Sequence, residues 1–277
     1  MVLRFIDYDR RREKSQAQIK ITAEEVRKLS ALGYISATPT KIPTDVELSG
    51  KDPKYAILGF AELMAKGEEA FDAGDFERAR TNFGELVKLD PTNPEARSRL
   101  ARTLMELHQY EEAEKQYFEI IAIDSTSSRS YFHLGNIARM KGEYDRALKF
   151  YQKALELLPG TPEALANMGS VLLEKGLVDS AIVVLKQALE LDPRNEIALV
   201  DIGLGYLSLK DYDNALEYFH KVLDINSENV KALANISLIY TKKDEIDSTI
   251  KYLEKARSVK PHDPSILANL GTAYRKA

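Results

Sequence analysis

The sequence contains no cysteine. That excludes disulfides, thiolate metal ligands and a cysteine nucleophile, while suiting either redox compartment. No apolar run approaches the roughly 18 residues that a spanning helix requires, so membrane insertion is not expected. The opening MVLRFIDYDRRREK lacks the hydrophobic segment of a secretion signal, which makes the cytoplasm the default location. Glycine-rich phosphate loops and Gly-x-Ser-x-Gly turns are missing. The four histidines, His108, His133, His220 and His262, are too dispersed for the close pairing of a zinc site. Carboxylates are plentiful but fall on faces that should be solvated, and no acid–base pair stands out. The expectation is therefore a non-catalytic chain with no metal and no cofactor.

What is present is a composition of 44% apolar and 30% charged residues, that of a folded chain rather than a disordered one. The charge is unevenly divided. Residues 1–59 hold 11 Lys+Arg against 8 Asp+Glu, and residues 60–277 hold 28 against 35. A net acidic field repels a nucleic-acid duplex or an anionic membrane and tolerates a basic or mixed peptide. The short basic run at Arg10, Arg11 and Arg12 reads as a solvated face, so nucleic acid is not an expected partner.

The strongest internal signal is a period of 34 residues. Blocks cut at 60, 94, 128, 162, 196 and 230, with a partial seventh from 264, need no insertions. The eighth place is small throughout, from Gly67 and Ala101 through Gly135, Gly169 and Gly203 to Ser237 and Gly271. The twentieth place is alanine from Ala79 to Ala215 and Thr249 in the sixth block. Fixed small places mean that two helices come close, because larger side chains would hold the backbones apart. The twenty-fourth place carries bulky partners such as Phe83, Tyr117, Tyr151 and Phe219. In YDRALKFYQKALELL, residues 144–158, apolar side chains return at the spacing of one helical face. Prolines in LDPTN, LLPGT, LDPRN and VKPHD stand near the ends of four of the six blocks and suit the start of a new helix. Each block is thus helix, turn, helix.

This pattern resembles the tetratricopeptide repeat family over residues 60–277. The third block carries Tyr131, Leu134, Gly135, Ala138, Gly142 and Tyr144 where that family has such residues, followed by Ala147, Tyr151, Ala154 and Pro159. Ser125 and Ser227 depart from the terminal proline, and Ser237 with Thr249 marks the sixth block as looser. The resemblance implies an all-α solenoid, a right-handed superhelix of helix pairs whose first helices line a concave groove and whose partner is a protein or peptide. A lone pair cannot bury both faces, so each block borrows apolar surface from its neighbours.

Within that frame, asparagine recurs at the sixth place as Asn167, Asn235 and Asn269, in the phrases ALANMG, ALANIS and ILANLG. His133, Asp201 and Arg99 interrupt the row. An exposed amide there can donate to and accept from an extended peptide backbone; equally, it can be used up in bonds between helices. Phe132, Val200, Leu204 and Leu238, with Leu173 and Leu207, are either apolar anchors for the ligand or packing against the next first helix. Some chaperone-binding members of the family clamp a terminal carboxylate. Asn136 and Asn167 match two of those amides, but Phe132, Ile197 and Asp201 stand where the clamp needs basic or amide groups, so the clamp is not expected. The candidate groove set is Asn136, Asn167, Asp201, Asn235 and Asn269 with Phe132, Val200, Leu204 and Leu238.

Residues 1–59 form a separate segment. TAEEVRKLSALGY, residues 22–34, reads as a helix with a Thr22/Glu25 capping box and a Gly33 stop, followed by a linker in which Asp52 and Pro53 open the next helix. EEVRKLSALGYIS and GKDPK resemble the tail of bacterial sulfatase-like and phosphodiesterase-like hydrolases that carry tetratricopeptide repeats. That resemblance implies a second reading, a non-catalytic appendage that aids oligomerisation or substrate targeting, located outside the cytoplasm. The hydrolase nucleophile sequence, Cys-x-Pro-x-Arg or Ser-x-Pro-x-Arg, is absent. At the other end, the last helix either caps the stack with Arg275 and Lys276 toward water or leaves Leu270 and Tyr274 partly bare, and bare apolar surface invites self-association.

Overall fold

The computed structural model describes the backbone of residues 53–277 and the side chains from residue 59. The expected helix at 22–34, its caps, the linker and Asp52 lie outside the described residues. Among these, thirteen helices follow one another: α1 Pro53–Asp72, α2 Phe76–Leu89, α3 Pro94–Glu106, α4 Tyr110–Ile123, α5 Ser128–Met140, α6 Tyr144–Leu157, α7 Pro162–Glu174, α8 Val178–Leu191, α9 Glu196–Ser208, α10 Tyr212–Ile225, α11 Val230–Lys242, α12 Ile246–Val259 and α13 Pro264–Lys276. From the second block on, every block cut coincides with the first residue of a helix. The first helix is longer and begins at Pro53, with the cut at Phe60 inside it.

Local chemistry explains these bounds. Asn93, Asn195, Asn229, Asp211 and Asp263 sit at helix starts, and each side chain accepts a hydrogen bond from a backbone N–H of the first turn. Such caps satisfy donors that have no intrahelical partner. Pro94, Pro162 and Pro264 open their helices, where the missing N–H costs nothing. The turn inside each block needs one residue of left-handed backbone. Gly142 (φ 73°) and Gly176 (φ 76°) supply it in the third and fourth blocks, whereas Lys210 (φ 60°) and Asp244 (φ 61°) do so in the fifth and sixth.

The small eighth place has a specific occupant opposite it. A Cβ built on Gly135 falls 2.5 Å from Cε1 of Tyr151, and one built on Gly169 falls 2.4 Å from Cγ of Leu185. Gly67 meets Phe83 and Gly203 meets Phe219 in the same way. The twenty-fourth place of the second helix therefore presses on the backbone of the first, and the pairing leaves Tyr151, Phe83 and Phe219 almost wholly buried. Alanines 79, 113, 147, 181 and 215 at the twentieth place are completely buried as well. Gly271 on α13 meets nothing closer than an Arg275 nitrogen at 3.9 Å.

The chain divides into two compact units, residues 1–116 and 117–277. In the first, Arg80 donates to Gln109 at 3.2 Å, tying the first helix pair to the second, and Arg97 donates to Gln116 at 2.7 Å within the second pair. In the second, consecutive helices pack in antiparallel fashion and the first helices stand side by side, α5 on α7, α7 on α9 and α9 on α11. Its cores run along the array: Leu185, Ala188, Ala198 and Ile202 form one cluster, and Phe219, Val222, Ala232 and Ile236 form the next. Each cluster takes residues from two blocks, the sharing expected of a stack of pairs.

Candidate functional site

The face built by the first helices of residues 117–277 carries every candidate groove residue. Two consecutive first helices bring the ninth place of one block against the sixth place of the next, a separation of 31 residues. Asn167 donates through Nδ2 to Oδ1 of Asn136 at 3.0 Å, and Ser170 donates through Oγ to Asp201. The same Asn136 oxygen also accepts from the Tyr151 hydroxyl at 2.7 Å. Burial pushes the Tyr151 phenol up, so it remains a donor. The Asp201 carboxyl is likewise raised by burial, against the pull of its Ser170 bond and the charges of Arg139 and Lys231.

One edge of this stretch holds an ion pair that also crosses blocks. Arg139 on α5 donates to Glu174 on α7 through Nε at 3.0 Å and Nη2 at 2.6 Å. A cleft of about 480 Å³ lies between them, lined by Asn136, Arg139, Met140, Tyr144, Asn167 and Glu174. Its guanidinium and carboxylate neutralise each other.

Farther along the array the same places hold different residues. The ninth place is Leu204 in the fifth block and Leu238 in the sixth, which leaves the following Asn235 and Asn269 without a polar neighbour 31 residues back. Asn235 turns its Nδ2 to the carbonyl of Lys231 at 2.9 Å, one helical turn earlier. Asn269 is exposed and makes no side-chain hydrogen bond among the described residues. Both face a cleft of about 270 Å³ between α11 and α13, whose walls include Leu238, Thr241, Thr272 and Lys276. Ser237, Thr249 and Leu253 form its floor, the places where the third block has Gly135, Ala147 and Tyr151.

The apolar candidates separate in the same way. Phe132 is half-buried, 6.0 Å from the Tyr151 ring and 5.3 Å from His133, and it packs on the core cluster of Ala138, Ala147 and Val171. Val200 and Leu207 pack on the cluster around Phe219, and Leu173 on that around Leu185. Leu204 and Leu238 keep 36% and 43% of their surface exposed. His133 stacks on Tyr117 with ring centres 5.0 Å apart.

Reading the row of asparagines alone misses Ser170, Arg139 and Glu174. The signal for Ser170 is the ninth-to-sixth relation across a block boundary, visible as a 31-residue offset once the period is known, whereas Arg139 and Glu174 pair at an offset of 35. Among the described residues, no group of three His, Asp or Glu stands close enough to hold a metal ion, and no helix is long and apolar enough to cross a membrane.

Comparison with known proteins follows the repeat. Tetratricopeptide repeat profiles match residues 70–134 and 138–200, and a second such profile matches 198–229 and 230–263. Curated protein sequences give no match. Among solved structures, a crystal structure of MamA protein is 27% identical, covers 62% of this chain and 93% of its own, and superposes with a TM-score of 0.51. PilF of Pseudomonas aeruginosa is 17% identical with a TM-score of 0.65, covering 82% of this chain and all of its own length. YrrB, described as a tetratricopeptide repeat protein with an unusual peptide-binding site, is 22% identical over 67% of this chain and 96% of its own, with a TM-score of 0.52. Helix pairs on a 34-residue period, glycines pressed by the ring or leucine of the following helix, and profile matches over most of the array lead to one assignment: the chain belongs to the tetratricopeptide repeat family, an all-α repeat superhelix.

Proposed function

We propose that this chain is a non-catalytic protein-interaction scaffold that holds an extended peptide along the first-helix face of residues 117–277. The observation that carries the reading is the pair of amides Asn235 and Asn269, neither tied to a neighbouring helix, on one cleft beside the exposed Leu238. An extended strand presents unpaired N–H and C=O groups to such amides, whereas a partner helix has already used its own. The extended peptide is therefore preferred over a partner helix. YrrB supplies a precedent for peptide binding on this fold.

Magnitudes define what else the site must offer. Two amides at about 0.5–1.5 kcal/mol per net hydrogen bond, with a buried leucine contact of about 1.5–3 kcal/mol, fall short of the roughly 8 kcal/mol of micromolar affinity. Further contacts, charged ones included, must contribute. The hydrolase-appendage reading rests on residues 24–36 and 50–54, nearly all outside the described ones, and no observation on the array favours it.

The test is a peptide-library screen against the full chain and two variants. Replacing Asn235 and Asn269 together by alanine should weaken the selected peptides about tenfold, while Asn167→Ala should act on thermal stability more than on affinity. Equal affinities for the wild type and the double variant would remove the two amides from the mechanism.

A further inference from the structure

We propose that the cleft between α11 and α13 takes an acidic segment of a partner protein, with Asp or Glu side chains lying over Lys242 and Lys276. This rests on the peptide-binding reading above and adds the chemistry of the ligand. The face of α11 reads Lys231, Asn235, Leu238, Lys242 at intervals of four, three and four residues, a single stripe along the helix. The corresponding stripe of α13 reads Ser265, Asn269, Thr272, Lys276. On α7 the same four places are Glu163, Asn167, Ser170 and Glu174. The face therefore changes sign along its length, from carboxylates on α7 to ammonium groups on α11 and α13.

The cations at the far end are not already spent. Lys243 pairs with Asp213 at 3.0 Å and Arg257 with Glu254 at 2.6 Å, yet neither Lys242 nor Lys276 has an ion-pair partner among the described residues. Lys231 lends part of its charge to Asp201, so the weight falls on the other two. Among the described residues lining the cleft there is no carboxylate. Glu254 stands nearby, but it pairs with Arg257 and accepts the Tyr274 hydroxyl at 2.7 Å. Lys276 is the one charged residue among the described residues of the lining, and Lys242 continues the α11 stripe beyond Leu238; on a chain of net charge −4 this is a local reversal, and such a reversal orients a ligand of opposite sign. The remaining walls favour peptide over nucleic acid. They offer two backbone-reading amides and the aliphatic Leu238, with no aromatic ring on which a base can stack.

The experiment compares labelled peptides that alternate Glu with Leu and Ser against versions with Gln for Glu, binding to the full chain in fluorescence anisotropy. The Glu peptide should bind about tenfold more tightly than the Gln peptide, with an advantage that fades as salt rises. The double variant Lys242→Glu/Lys276→Glu should reverse the preference. Equal affinity of the two peptides, still dependent on Asn235 and Asn269, overturns the acidic specificity and leaves peptide binding standing. Failure of both peptides and of the library overturns the underlying reading as well. Displacement of the Glu peptide by inorganic phosphate or a single-stranded oligonucleotide at equal concentration would make the cleft a general anion site and overturn the assignment to a peptide.

Discussion

Two stretches of one face share their geometry and differ in their chemistry. Between α5 and α9 the ninth-place residues are Asn136 and Ser170, and each ties down the sixth-place residue of the next block, Asn167 or Asp201. Between α9 and α13 the ninth place is leucine, and Asn235 and Asn269 have no such partner. The same side chain at the same place is thus part of the scaffold in one stretch and open to a ligand in the other. What separates the two is the residue 31 positions upstream, which either ties the side chain to a neighbouring helix or leaves it without a partner there.

The most forceful way to break that contrast is to exchange the ninth-place residues. Asn136→Leu copies the far stretch into the near one. It takes the acceptor away from the buried Tyr151 hydroxyl and from Asn167, and should cost about 1–3 kcal/mol, read as a lowered midpoint in urea. The reverse exchange, Leu238→Asn, gives Asn269 a neighbour to bond. Its stability should change little because Leu238 is 43% exposed, while affinity for library peptides should fall several-fold. If Asn136→Leu is as stable as the wild type, the near network is not holding the helices, and the contrast loses its structural half.

A smaller effect sharpens the comparison through the turns. The near stretch uses glycine at its left-handed positions, Gly142 and Gly176, and the far stretch uses Lys210 and Asp244. A lysine at φ 60° bears a steric cost that glycine avoids. Lys210→Gly should therefore raise stability by about 0.5–1 kcal/mol, and Gly142→Ala should lower it by about as much, both by thermal melting. Opposite signs for the pair would show that the far stretch carries local strain; a destabilising Lys210→Gly would mean that the lysine side chain supports the turn.

Much of this architecture was legible in the sequence because it depends on one period. Gly135 and Gly169 announce a close approach, and Tyr151 and Leu185, sixteen places on, are the side chains that make it. Asn93 or Asn195 before a helix, and Pro162 or Pro264 at its start, mark the bounds by local chemistry alone. The candidate site was only half legible. A sixth-place asparagine is visible as a letter, but its availability is set by a residue on another helix, and a pattern read within one helix does not reach across that boundary. Phe132 and Val200 show the same limit. Their exposure depends on how neighbouring helices cover them, which hydrophobicity does not report.

The smallest test concerns Asp201, the acid that the near stretch holds closest to the far one. Burial raises its carboxyl above the ordinary value of 3.8, while the Ser170 bond, Arg139 and Lys231 act in the opposite direction and Glu174 adds to the rise. Because the folded state binds this proton more tightly than the unfolded state, protonation favours folding. The contribution is complete below pH 3.8 and is lost as pH climbs through the raised value. Asp201→Asn keeps an acceptor for Ser170 and does not titrate. Subtracting its urea stability from that of the wild type across a pH series cancels the other carboxylates. The difference should fall from acid toward neutral pH and then level off. A difference that instead rises with pH would mean that the serine bond and the two cations outweigh burial, and that Asp201 is held as a stabilised anion able to meet a basic ligand at this end of the face.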